Sequence, residues 1–248
     1  MNLDINWLVG LHIPSGLLPG ALLWAGNLLF VLCLLLAASK APWKTLLAQQ
    51  ESQHVFLGAV VILLSIWGIK AGISPGLGFH HLGATLFTLM FGWPLAIIGL
   101  TITMLASLLL QASDWTSLGI NSLLSIVIPI IVSYLILKLS QKWLPDNFFI
   151  YIFICAFFGA GVAIAVSRLS AMALLAVLHA YPNEQLIEES LQYLPLIMFP
   201  EAFVTGMLIT IFVVYHPDWV STFDAVSYTH LTLPTTIELC RSRWSPYH

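Results

Sequence analysis

The sequence predicts an all-α integral membrane protein, with about seven transmembrane helical segments in one bundle and a structured N-terminal loop. Three observations carry that prediction. Of 248 residues, 59% are hydrophobic and 8% charged, against about 25% charged in ordinary soluble domains. Apolar runs near the roughly 20 residues that a spanning helix needs recur along the chain. Between them lie two glycine-rich segments that carry histidine, Gly10-Leu-His-Ile-Pro-Ser-Gly16 and Gly76-Leu-Gly-Phe-His-His-Leu-Gly83. In so uncharged a chain, two such loops suggest a small cationic ligand, a transition metal first.

Residues 1–18 read as an extracytoplasmic N-terminal segment. They hold Asp4 and no basic stretch before a full-length apolar run, so a cleavable signal is not expected. The first span is predicted over 19–38 and the second over 55–72. The next apolar stretch, 82–111, would be about 45 Å long as one helix, more than the ~30 Å hydrocarbon core accommodates even with tilt. Gly92-Trp93-Pro94 sits inside it, and proline disfavours helix at the residue before it. Further spans are predicted at 118–137, 147–167 and 193–215, with a short helix at 169–178 ahead of an acidic loop around Glu184, Glu188 and Glu189.

Lysines test the break. Lys40 and Lys44 follow the first span, while Lys138 and Lys142 close the one starting at 118. If 82–111 turns back at Trp93-Pro94, both pairs fall on one side, as the positive-inside rule prefers. That arrangement has seven segments, the N-terminus outside and the lysine loops in the cytoplasm. Lys70 and Arg168 are then the minority basic residues on the outer side. Residues 19–225 form the polytopic domain of a multi-pass protein of the cell inner membrane. Residues 226–248 have neither helical period nor membrane character. Ser227-Tyr-Thr-His-Leu-Thr-Leu-Pro-Thr-Thr236 resembles translated adapter read-through, so this tail is expected to be non-native.

A net charge of −3 argues against a nucleic-acid partner. Cys33 and Cys155 lie in apolar runs and read as small buried hydrophobes. No His-Glu-x-x-His, Gly-x-Ser-x-Gly or nucleotide-binding loop is present, so an enzyme is not expected, and ATP-driven transport would need an ATPase on another chain.

Four motifs carry a resemblance. Leu11-His-Ile-Pro-Ser-Gly-Leu-Leu18, Gly78-Phe-His-His-Leu-Gly-Ala84, Ser117-Leu-Gly-Ile-Asn-Ser122 (after Asp114) and Pro200-Glu-Ala-Phe-Val-Thr205 are similar, in order, to segments of the membrane subunits of cobalt and nickel energy-coupling-factor transporters, the CbiM/NikM type. The resemblance implies a substrate-capture subunit. It takes divalent cobalt or nickel as substrate, with no resident cofactor, and works with an energy-coupling transmembrane subunit and ATPases. It also implies His12 and His81 as metal ligands. The chain departs from the pattern where the family's histidine follows the initiator methionine: eleven residues precede His12, Leu11 stands in the methionine's place, and Ser15 replaces an aspartate. The alternative is therefore a free-standing relative without an ATPase partner, a passive carrier or scaffold.

Imidazole suits cobalt, nickel, copper and zinc, and a metal prefers a ring oriented by an acceptor behind it. His12 reads otherwise as an exposed loop histidine. Adjacent side chains need not converge, so His80 is a residue that orients the site or simply part of the loop. Glu201 stands about eight residues into an apolar span, where a charged carboxylate costs roughly 2.5–3.5 kcal/mol and usually serves function. Its alternative is a neutral acid bonded to a neighbouring helix. Asn121, near a span start, is a helix–helix or site-orienting hydrogen bonder. His54 and His216 at span ends and His179 before the acidic loop read as interfacial.

Overall fold

The computed structural model describes residues 13–68, 76–77, 81–111 and 114–223. His12 and His80 lie outside the described residues, as do Lys70 and the tail from 224. A 3-10 turn at Ser15–Leu17 leads into α1 (Gly20–Lys40), followed by a short α2 (Trp43–Ala48) and α3 (Gln50–Trp67). Helix α4 (Ala84–Gln111) is interrupted at Gly92, where φ is 78° and ψ is 161°. That conformation is open essentially to glycine alone. Pro94 falls in the first turn after the break, where its missing N–H costs nothing. The halves are α4a, residues 84–91, and α4b, residues 93–111.

Helix α5 (Leu118–Trp143) and α6 (Phe148–Val177) follow. A short helix α7 at 183–191 and the long α8 (Leu194–Tyr215) complete the bundle. Among the described residues, five helical stretches are long and apolar enough to cross a membrane. With α3 included and α4 counted as two, the segments number seven, as the sequence predicted. In α5 a π-turn at Leu123–Val127 immediately precedes Pro129. The wider turn accommodates a proline ring that would clash with the carbonyl four residues back in a regular helix.

The lysine-bearing ends converge. Pro42 and Leu46 from the α1–α3 connection share a crevice with Phe91 and Leu95 at the break and with Trp219 after α8. Leu137 near the end of α5 packs with Met90, Tyr151 and Val213. Lys40, Lys44, Lys138 and Lys142 therefore occupy the same end of the bundle, the one the positive-inside rule assigns to the cytoplasm. The chain after α8 also serves the break. Ser221 N donates to Met90 O at 2.9 Å and Thr222 N to Leu89 O at 3.3 Å. These carbonyls belong to the last turn of α4a, which an uninterrupted helix would have satisfied.

Three expectations are corrected. Residues 148–177 form one continuous helical stretch, so the separate helix at 169–178 does not exist. Arg168 is accordingly buried within α6, 7% exposed, instead of marking an outer loop. The acidic stretch around Glu184, Glu188 and Glu189 is helical rather than a loop.

Candidate functional site

Helix α8 turns Glu201, Thr205, Ile209 and Val213 inward along one stripe at four-residue spacing. Glu201, the first residue of that stripe and 2% exposed, meets the segment leading into α4a. Its Oε1 accepts from Gly83 N at 2.9 Å and its Oε2 from Leu82 N at 2.8 Å. Gly83 makes this cradle. Its φ is +68°, and a Cβ there would lie 2.8 Å from Leu63 Cδ1, so two successive N–H groups converge on one carboxylate at the start of a helix. That is an arrangement suited to an anion.

The same Oε2 lies 2.9 Å from His81 Nδ1. Arg168 of α6 adds an attractive electrostatic interaction with the carboxylate. Hydrogen bonds to a charged group are worth about 1.5–3 kcal/mol each, so together they offset the roughly 2.5–3.5 kcal/mol that a charged acid costs in an apolar span. With Nδ1 turned to Glu201, Nε2 is the ring nitrogen left for a ligand. The His81 ring borders a cleft of about 690 Å³ between α3, α4a and α8.

Asn121 serves the other loop. Its Oδ1 accepts from Ile13 N at 2.8 Å, and its Nδ2 donates to Ile13 O at 3.1 Å and to Ser117 O at 3.0 Å. One side chain thus holds both main-chain groups of the residue after His12. Asp114 extends the grip, its Oδ2 accepting from Ser15 N at 3.0 Å and its Oδ1 from Thr116 N and Oγ1 at 2.9 and 2.6 Å. Its slight burial works against ionisation, yet the hydrogen bonds from Ser15 and Thr116 win and hold the carboxyl down to about 2. Gly76, at φ +81°, brings the second loop against the first, for a Cβ there would stand 3.3 Å from Ile13 Cγ1. Ile13 and Leu77 join one buried cluster with Leu175 and Leu186.

The structure therefore brings His81 and Glu201 together and sets Asn121 on the backbone of the N-terminal segment. Helix α6 runs between these places, Ser167 Oγ donating to Leu124 O at 2.8 Å while Arg168 serves Glu201. Among the described residues no three His, Cys, Asp or Glu side chains form a group that could hold a metal. Sequence reasoning missed Arg168 and Asn27. Asn27 Oδ1 accepts from Gly119 N at 2.7 Å, and its Nδ2 donates to Thr116 O at 3.0 Å. The signal for Asn27 was its place in an apolar span, where an amide needs partners. His54 and His216 lie exposed at helix ends, and the His216 ring stacks on Trp219 at 4.3 Å. His179, at φ 51°, closes α6.

Comparison with known proteins bears on the family and the fold. The chain is 31% identical over 151 residues to a cobalt transport protein CbiM of Listeria seeligeri, covering 59% of each chain. It is 31% identical over 136 residues to a CbiM of Salmonella typhimurium, covering 53% of this chain and 54% of that one. The match thus spans less than two thirds of either relative's length. Among solved structures, a truncated transition metal transporter superposes with a TM-score of 0.67 over 83% of this chain and 99% of its own, at 22% identity. A second transition metal transporter gives 0.61 over 81% and 91%, also at 22% identity. At that identity the likeness is one of fold. The family model described as CbiM, cobalt uptake substrate-specific transmembrane region, matches residues 12–219, from the histidine before the Asn121 clamp to the tryptophan after α8, and the chain belongs to that family.

Proposed function

We propose that this protein captures a divalent transition metal ion, cobalt or nickel, for uptake across the cell inner membrane, with His12 and His81 as ligands. The observation that carries the reading is the chain of contacts from the Leu82 and Gly83 N–H groups through Glu201 to His81 Nδ1. A carboxylate behind one ring nitrogen fixes the tautomer and aims the other at the ion, which is how metal-binding histidines are held. Glu201 has both oxygens engaged, so it orients His81 rather than ligating. Asn121 and Asp114 position the backbone that follows His12, and Gly76 lets the two loops touch. His80 takes no ligand role in this reading.

The relatives' description as cobalt transport proteins supports a transporter over an enzyme, and in this reading the energy comes from an ATPase module on separate chains. Isothermal titration of cobalt, nickel, zinc and copper into protein of defined N-terminus tests the site. His12→Ala and His81→Ala should each abolish binding, since the remaining ligands hold a divalent ion poorly. Unchanged affinity in the double variant would remove the metal reading and leave the fold.

The free-standing reading is favoured by the departures within the first motif, where Leu11 and Ser15 stand in place of the family pattern's methionine and aspartate. Cobalt uptake by vesicles holding this chain alone, without ATPase or nucleotide, would select it. Uptake that requires a co-expressed coupler and ATPases selects the first.

A further inference from the structure

We infer that the lateral cleft between α3 and α8 is a binding site for one membrane phospholipid with a primary-ammonium headgroup. The inference does not rest on the metal reading, although His81 borders the far end of the same cleft. Helices α3 and α8 hold apart here because the eight-residue α4a lies between them as the floor. The walls are apolar, with Ile62 on the rim 63% exposed, so the cleft opens toward lipid and not toward water.

Along α3 the cleft runs from Gln50 to Ile66, about 24 Å of helix, so it takes in the roughly 15 Å of one leaflet and reaches past it. Apart from His81, the polar groups gather at the end where the lysine loops lie: Gln50, Glu51 and His54 from the first turns of α3, with Trp219 opposite. Trp219 Nε1 donates to Glu51 Oε1 at 2.9 Å, which leaves Oε2 to a ligand. Among the described residues no lysine or arginine lines the cleft, so its mouth attracts a cation and not a phosphate alone. A carboxylate at the mouth of an apolar slot at least one leaflet deep suits an ammonium with an acyl chain below it. Gly58 supplies the room, for a Cβ there would meet no atom within 4 Å.

The test is native mass spectrometry of the full chain in mild detergent, titrated with dioleoyl phosphatidylethanolamine, phosphatidylcholine and phosphatidylglycerol. One phosphatidylethanolamine should survive collision energies that strip the other two. Glu51→Gln keeps an oxygen for Trp219 and removes the charge, so it should erase the headgroup preference while retention persists. Gly58→Phe fills the slot and should lower retention of all three lipids without shifting the melting temperature. If that variant fails to fold, Ile62→Trp on the exposed rim carries the same expectation. Equal or better retention of phosphatidylglycerol, or retention unaffected by filling the slot, would overturn the inference. So would a dimer lost on filling it, which would assign the cleft to a second copy of the chain.

Discussion

Glu201 Oε1 faces one N–H donor, and Oε2 faces a second together with His81 Nδ1. Whichever way an amide is placed there, its NH2 group opposes a donor. Glu201→Gln should therefore insert normally, lose the fixed His81 ring and bind cobalt about 10–100-fold more weakly, the usual effect of losing the partner behind a ligand; titration calorimetry reads it, and wild-type affinity would remove Glu201 from the site. Asp114 makes a pH prediction. Its carboxyl titrates near 2 in the folded protein against an ordinary 3.8. A depressed acid contributes stability that is complete above its unfolded value and disappears as pH falls through its folded one. The melting-temperature gap between wild type and Asp114→Asn should thus stay constant from pH 7 to 5 and close toward pH 2. A gap that opened on acidification would contradict the hydrogen-bonding scheme. Asp114 is exposed, so the gap itself is small.

At the scale of elements, the break in α4 shows how glycine and proline divide the work. Gly92 supplies a backbone conformation, φ 78° and ψ 161°, that a Cβ disfavours, while Pro94 only starts the next helix. Gly92→Ala should cost about 1–3 kcal/mol, and Pro94→Ala, at a first-turn position where proline is favourable but not required, clearly less. Thermal melts in one detergent compare them, and equal losses would place the break at the proline. The break was legible in the sequence from excess length and the Gly-Trp-Pro triplet, and the interior place of Glu201 from the cost of a carboxylate in an apolar span. The run of α6 past Arg168 was not. A lone arginine after an apolar run looks like a span end, and the carboxylate that lets it stay buried comes from α8, with no local trace. The clamp on Ile13 was half legible. An asparagine near a span start announced a hydrogen bonder, but its partner lies 108 positions away. Helix α1 meets α5 at Gly26, where a Cβ would run into Ile120. Nothing in α1 singles out that glycine from the small residues around it.

For the whole molecule the break decides topology. Because α4a and α4b run in opposite directions, they cancel one crossing, and every later helix has the sense opposite to the one it would have if α4 were a single span. The contacts respect this. Trp219 after α8 bonds Glu51 at the start of α3, Thr222 bonds Tyr151 at the start of α6, and Ser15 before α1 bonds Asp114 before α5. Each pair joins helix ends that must share a face. Single cysteines at positions 44, 142 and 221 in a cysteine-free background should therefore react with an impermeant maleimide only from the cytoplasmic side, and one at position 115 only from the other. The reagent excludes helix interiors, so the pattern reads sidedness directly. Labelling of 44 and 142 from opposite sides would require an unbroken α4. It would also part the helix ends that hold the strap on Leu89 and Met90, so the same result would predict that Gly92→Ala is harmless. The two measurements stand or fall together, and that tie makes the topology a stronger claim than the count of apolar segments it began from.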